Sequence, residues 1–451
     1  MLDLLKILVQ KGSITQEEYE LLVNAAKADK EKAEGMAAKA KEEAKKASEE
    51  AIKDMPKVTT DGKLVIESRD GDWSFQPIGR IFWDQVWTDD DGSPSEDSGS
   101  ELRRARMGFE ATFMHDFESK LELDFAESGV AEWKDVWISY NHKSSLGKWS
   151  IKLGQHHVPF GHATISSSKY MPLMRRPLFA DGPQQARRVG VAFRLDSKEE
   201  NRWFVHAGVF RPGIGDDTDE IGTDDETEEI SAAVRVAGTP LYQDKKHLIH
   251  IGGSYQWRNM NGDGISSLDN ALVSHIGSSG TMEANFGSNV DEINAFDGEA
   301  IVVWGPFHAV GEYVHWRVDD PDGDADLDAW AFDAGWFFTG ESMKYKKGAF
   351  SGISPHKPFG KGGMGAWQIA ARIENMDFND GSVVGGDADV FTAGLNWYPV
   401  KNVRFMANWA TVLDFECNPV DAAASSLSDT CETGADGKEP NAFSLRGQVY
   451  W

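Results

Sequence analysis

The chain has 451 residues, of which 45 are glycine, 16 tryptophan and two cysteine; 11% are aromatic and the formal net charge is −27. Mean hydropathy is −0.45, and no apolar run approaches the ~20 residues that a membrane-spanning helix needs. A helical membrane protein is thereby excluded, and a membrane protein of this composition has to cross with strands, which are only half apolar.

Residues 1–55 differ in material from the rest. LLKILVQKGSITQEEYELLVNAA (4–26) predicts two short helices around Gly12, the second opened by Ser13 or Thr15 with Glu17 and Glu18 in its first turn. A charged helix follows. Its alanines Ala33, Ala37, Ala40, Ala44, Ala47 and Ala51 recur at alternating steps of four and three, an a/d seam with Lys and Glu on the other faces. A lone Ala-rich helix would leave that seam bare, so the segment is expected to associate with copies of itself as a coiled coil. Alanine knobs bury little area, so such a coil needs something else to hold the chains together.

Residues 56–72 read as a linker, and 73–451 as strands. The expected strands are 74–87, 101–114, 117–126, 132–141, 148–155, 187–195, 201–210, 228–237, 246–257, 293–304, 307–317, 327–339, 363–378, 389–398, 401–415 and 441–451, sixteen in all. Between Arg103 and Phe113 the odd positions carry Ala105, Met107, Phe109, Ala111 and Phe113, and the even ones Arg104, Arg106, Gly108, Glu110 and Thr112. One face suits lipid and the other water. A soluble sandwich shows the same dyad pattern. The Gly and Trp content, the alternation of tight turns (HDF, GPF, PVKN) with long segments, and a last strand, NAFSLRGQVYW, ending on an aromatic point instead to an all-β fold, a 16-stranded antiparallel transmembrane β-barrel. The N-terminus lacks the basic, apolar and cleavage regions of a signal peptide, so an exported protein would already have lost it here. Cys417 and Cys431 close a loop rich in Ser, Ala and Asp, which fits a disulfide in an oxidising compartment better than a metal site.

Several blocks also match a family. ELRRAR (101–106), KDVWISY (134–140), LGQHHVPFG (153–161), SSSKY (166–170), TGESMKYKKGAF (339–350), GAWQIAARIENMDF (365–378) and GLNWYPVKNVRFMANW (394–409) resemble the phosphate-selective porins O and P, in family order, over roughly residues 78–451. The resemblance implies an outer-membrane barrel of a Gram-negative bacterium, assembled as a homotrimer, with loops folded into each pore as a constriction. Three N-terminal helices would then emerge on the periplasmic side at the trimer axis, within reach of the cell wall.

An anion pore needs a row of fixed positive charges facing water, numerous enough that no single site traps the ion. Strand parity places Arg104, Arg106, Arg188, Arg194, Arg235, Arg258, Arg372, Arg404 and Arg446 on the inner face, where guanidinium matches oxyanion geometry and stays charged. The same parity supplies Glu110, Glu122, Asp124, Asp135, Asp297, Glu299 and Glu374, so these arginines could equally pair with lumen acids. In the resembled family three lysines facing an aspartate bind phosphate. Lys169 in SSSKY, Lys346 after Tyr345 and Asp135 match three of these positions; the third lysine falls at Ser354, and Arg175 and Arg176 lie where they would compensate. The expected constriction therefore prefers small anions and holds phosphate loosely.

The net charge argues at first for cations, but much of it is local, in residues 88–97, 215–229 and 318–328. These runs follow upward strands and should face the exterior, where they keep loops solvated or meet outer-membrane lipid and lipopolysaccharide through divalent cations. Beyond ~8 Å their effect on a constriction is screened. Asp320, Asp322 and Asp324 lack the Gly and distal Glu of a calcium loop. No cofactor, metal or nucleic-acid partner is expected, and no acid is spaced to make a triad with the serines of HATISSSKY and His156 or His157. The remaining alternative is a general small-solute porin that doubles as a stalked structural protein of the envelope.

Overall fold

A computed structural model describes residues 2–52, 55–89, 97–126, 130–181, 184–214, 230–260, 267–276, 282–286, 290–319, 323–380, 383–416 and 437–451. Cys417 and Cys431 lie outside these residues, as does most of the acidic runs. Contacts divide the chain into two units, 1–58 with 67–71, and 59–66 with 72–451.

The first unit is helical. Helix α1 spans Leu2–Gln10 and α2 spans Gln16–Ile52. Thr15 opens α2 with a capping box: its hydroxyl accepts the Glu18 N–H at 3.2 Å, and Glu18 Oε2 accepts the Thr15 N–H at 2.8 Å. These bonds hold the Glu18 carboxyl below its usual range. The short helix and the charged helix expected after Gly12 are one continuous helix of 37 residues, because between Glu17 and Ile52 the only helix breaker is Gly35. Ala33, Ala37, Ala40, Ala44 and Ala47 are exposed along it. The expected linker is not plain coil, since it contains the short strands Lys57–Thr59 and Val65–Glu67.

The second unit is a closed antiparallel barrel of sixteen strands. They are β1 (Trp73–Asp89), β2 (Gly99–Phe113), β3 (Phe117–Asp124), β4 (Glu132–Lys143), β5 (Gly147–His157), β6 (Arg187–Ser197), β7 (Trp203–Arg211) and β8 (Ile230–Asp244). The circuit continues with β9 (His247–Asn259), β10 (Glu292–Trp304), β11 (Phe307–Asp319), β12 (Ala325–Phe337), β13 (Ala366–Asp380), β14 (Val383–Tyr398), β15 (Val403–Glu416) and β16 (Asn441–Tyr450). Closure is by β16 on β1, in register from Asn441 opposite Asp89 to Tyr450 opposite Arg80. Beyond that ladder Trp451 and Gly79 exchange backbone hydrogen bonds of 3.1 and 3.3 Å. A Cβ at Gly79 would lie 2.2 Å from the Trp451 ring, so the terminal aromatic needs a glycine beneath it.

Alternation is clean on β10, where Phe296, Gly298, Ala300 and Trp304 are exposed and Ala295, Asp297, Glu299, Ile301 and Val303 are buried. The outward face is the one that meets lipid. Near the short-turn end, Trp336, Phe338, Trp367, Trp397 and Phe405 form a run of neighbouring rings, and at the opposite end Trp87 stacks on Phe443. These are the two aromatic belts of a barrel in a bilayer.

The inward face is less uniform than strand parity suggests. Around β10 to β16 it is apolar toward the long-loop end. There Ile293, Val314, Trp316, Leu327, Met376, Phe378, Val390, Val412 and Phe415 pack against Leu268, Leu272, Val273, Met282 and Phe286 of the β9–β10 connection, and against Phe160, Leu178 and Phe179 of the β5–β6 connection. The hydrophobic core of this barrel sits inside it.

Candidate permeation site

The β5–β6 connection, residues 158–186, folds into the lumen with two short helices, α3 (His162–Ile165) and α4 (Leu178–Asp181). Three inward arginines from the far wall hold it through its carbonyls. Arg404 Nη1 donates to Met171 O at 2.6 Å, Arg446 Nη1 to Met174 O at 2.8 Å and Arg372 Nη1 to Arg175 O at 3.2 Å. Glu374 accepts the Leu178 N–H at 2.7 Å, which satisfies a donor of α4. From the short-turn end the β12–β13 connection enters as a hairpin, Lys344–Lys346 paired with Ala349–Ser351. Arg194 and Arg235 donate to Lys347 O and Gly348 O, each at 3.0 Å. The two insertions meet where His162 Nδ1 lies 3.1 Å from Gly348 O. Burial pushes the His162 imidazole down to about 4, so this contact is made by a neutral ring.

Between the inserted loop and the wall of β1 to β7 lies a cavity of about 670 Å³. Seven arginines (Arg80, Arg103, Arg104, Arg106, Arg176, Arg187, Arg194) and four lysines (Lys120, Lys134, Lys152, Lys347) line it, against Glu110 and Asp135. The described carboxylates bonded to these cations from behind are Glu122, Asp124, Glu132 and Asp196. Counting them as well, positive charge stays ahead by five.

The nine predicted arginines divide by role. Arg104 and Arg106 face the cavity; Arg106 is tied to Asp124 at 2.7 Å, while Arg104 has no hydrogen-bonded partner among the described residues. Arg235 is fully buried against Glu299, at 2.5 Å. Arg372 pairs with Asp333 at 2.7 Å and Arg446 with Asp84 at 2.5 Å, and Arg404 donates to Gln448 at 2.8 Å. Arg194 pairs with Asp196 at 2.9 Å, and Arg258 is buried on β9. Pairing with lumen acids thus describes much of the set. Arg188 lies on β6 opposite the inward-facing His156, and its neighbour Arg187 lines the cavity and reaches Asp135 at 3.2 Å. Arg187 opens β6 opposite His157, and strand alternation does not govern that first residue.

Asp135 is buried beneath Lys120 at 2.9 Å and Arg187, so two cations cover its charge. Lys169 lies outside the cavity lining, its Nζ 5.5 and 5.6 Å from the rings of Tyr170 and Tyr450. Burial, with Arg80 and Lys120 near, pushes the Lys169 ammonium down to about 8. Lys346 is exposed and is not part of the lining; the next residue, Lys347, is, with Nζ 2.6 Å from Asp196. Lys347 is in the turn between the hairpin strands, at φ +53° and followed by Gly348 at φ +89°, and that turn carries its side chain to the cavity. Ser354 accepts from Lys344 Nζ at 3.1 Å. Arg175 and Arg176 brace loops: Arg175 donates to Ala271 O at 2.8 Å, and Arg176 to Ala163 O and Ser166 O at 3.0 and 2.7 Å. Arg80, Lys120 and Lys152 face the cavity by the same parity, being even positions on strands whose odd positions face outward. Lys152 stacks over Trp137 at 4.1 Å and has no hydrogen-bonded partner among the described residues.

The family model for phosphate-selective porin O and P matches residues 75–414. The chain belongs to that family. Among relatives of the porin, porin O of Pseudomonas aeruginosa is 22% identical over 390 residues, covering 78% of this chain and 85% of its own. An uncharacterised protein of Caulobacter vibrioides is 27% identical over 365 residues, covering 77% of this chain and 70% of its own. Among solved structures, an anion-selective porin from Comamonas acidovorans shares the fold, with a TM-score of 0.50 at 12% identity over 84% of this chain and 100% of that one. The porin is an outer-membrane channel and not an enzyme.

Proposed function

We propose that the porin conducts small anions, phosphate among them, by passive diffusion along the cationic wall of β1 to β7. The observation that supports this is the lining itself, eleven Arg and Lys side chains against two carboxylates around one cavity of about 670 Å³. Many weak sites in a row let an anion shed part of its hydration without being trapped. Arg104 and Lys152, which no carboxylate among the described residues occupies, attract anions locally, and Asp135, already covered by Lys120 and Arg187, repels anions little. With Lys346 exposed and Ser354 uncharged, Lys169 stands without the other two lysines of the family site, so phosphate is held loosely. The porin works as a homotrimer with residues 1–55 in the periplasm, where the exposed alanine seam of α2 would pair with the seams of two other copies.

Reversal potentials of the reconstituted porin in a chloride gradient, with and without phosphate, test this reading. Anion preference, with phosphate reducing chloride current only at high concentration, is the expected result. Cation preference at physiological salt overturns it.

A further inference from the structure

Barrel tryptophans serve the outward face, where an indole meets lipid chain and headgroup together. Among the described strand tryptophans two turn inward instead. Trp316 on β11 is packed into the apolar core of the sealed side. Trp137 on β4 has no such cover: it stands between the inward residues Asp135 and Ser139, half-buried, and lines the cationic cavity. An indole on a water-filled path leaves a large apolar surface unused.

Its neighbours give that surface a chemistry. The Lys152 ammonium, from the adjacent strand β5, lies 4.1 Å from the centroid of the Trp137 ring. Lys152 lines the same cavity, and no carboxylate among the described residues binds it. The ring quadrupole steadies the ammonium, while the donors that point off the ring are left for a guest. Gly154 is the direct partner of Trp137 in the β4–β5 register, with φ +112°, and a Cβ on it would lie 2.3 Å from Val136 O. Only glycine fits there, so no side chain stands across from the indole on β5. Room is available too, since a cavity of about 670 Å³ falls within the roughly 300–1,000 Å³ of ligand pockets.

A small inorganic anion would use the ammonium and leave the indole bare. A guest that uses both carries one carboxylate on a flat apolar body. We propose that Trp137 and Lys152 form a subsite for aromatic carboxylates, the ammonium taking the carboxylate and the indole the ring. Asp135, the preceding inward residue on β4, does not oppose such a guest, because Lys120 and Arg187 cover its charge at 2.9 and 3.2 Å. The subsite rests on the reading of the pore as an anion channel and names a solute class for it, ring-bearing acids that linger where phosphate passes.

The experiment uses the full-length porin in planar bilayers, with chloride current followed at neutral pH as sodium benzoate or sodium acetate is added to both sides. The two anions carry the same carboxylate, and only benzoate has a ring. Benzoate is expected to halve the current at a concentration roughly tenfold lower than acetate. Trp137→Leu should bring the two concentrations together. Trp137→Phe, which keeps a ring and stands in if the leucine variant does not assemble, should cut the ratio to about threefold. Lys152→Met should raise the benzoate concentration needed, and an unchanged value there overturns the subsite. It is overturned too if an anion-selective wild type is blocked equally by both acids, or if the advantage of benzoate survives in Trp137→Leu. Cation selectivity of the wild type, read from its reversal potential in chloride, would instead sink the anion channel and the subsite with it.

Discussion

The two sides of the lumen are built from the same kind of strand and do opposite things. On β1 to β7 the inward residues are charged and border a cavity, with cations in excess. On β10 to β16 the inward residues near the long-loop end are apolar and are sealed by the β5–β6 and β9–β10 connections. Arginines lie on both sides. On the sealed side Arg372, Arg404 and Arg446 spend their donors on a carboxylate, an amide and the carbonyls of the inserted loop. On the open side Arg104 keeps its charge for the cavity. A guanidinium on an inner strand face is thus a loop anchor or an ion site according to what covers it.

The largest expected effect is on the sealed side. Phe378 is fully buried, and Phe378→Ala should cost about 3–5 kcal/mol of barrel stability in denaturant unfolding while leaving the reversal potential in place. A change in selectivity would show that the two sides are not separate. Next, Arg104→Glu replaces +1 by −1 in the open half, and the anion-to-cation permeability ratio should fall roughly thirtyfold, for about 1 kcal/mol per charge over a change of two charges in water. An unchanged ratio would mean that ions travel elsewhere. Smaller still is the response to pH. Lys169 is charged below about 8 and neutral above, so raising pH from 7 to 9.5 removes one positive charge near the inserted loop. Anion preference should fall about twofold over that range and return as pH is lowered, and Lys169→Met should reduce the dependence. The smallest contrast lies within the hairpin. Lys347→Ala should lower anion preference slightly, since Lys347 lines the cavity against Asp196, whereas Lys346→Ala should change nothing measurable.

Much of the architecture follows from local pattern. All sixteen barrel strands occur where two-residue alternation placed them, with ends shifted by a few residues; β8 runs on to Asp244 and β14 begins at Val383. The inward side of Arg104, Arg106, Arg235 and Asp297 was readable because a strand turns every second side chain to the same face. Alternation says nothing where regular strand has not begun or has given way to a turn, and Arg187 on the first residue of β6 and Lys347 in the hairpin turn both line the cavity. The helix α2 was longer than its reading because one glycine does not break a run of good helix formers.

By itself, then, the sequence determined the barrel, its strand count, which side chains face inward and the long helix before it, since each of these depends on residues within a turn or a strand of one another. Only the tertiary structure decided which inward charges stay free. That choice depends on contacts between residues far apart in the chain, such as Arg404 with Met171 and Glu312 with Ala163, at separations of 233 and 149 residues. Periodicity reports which way a side chain points and is silent on which loop will cover it.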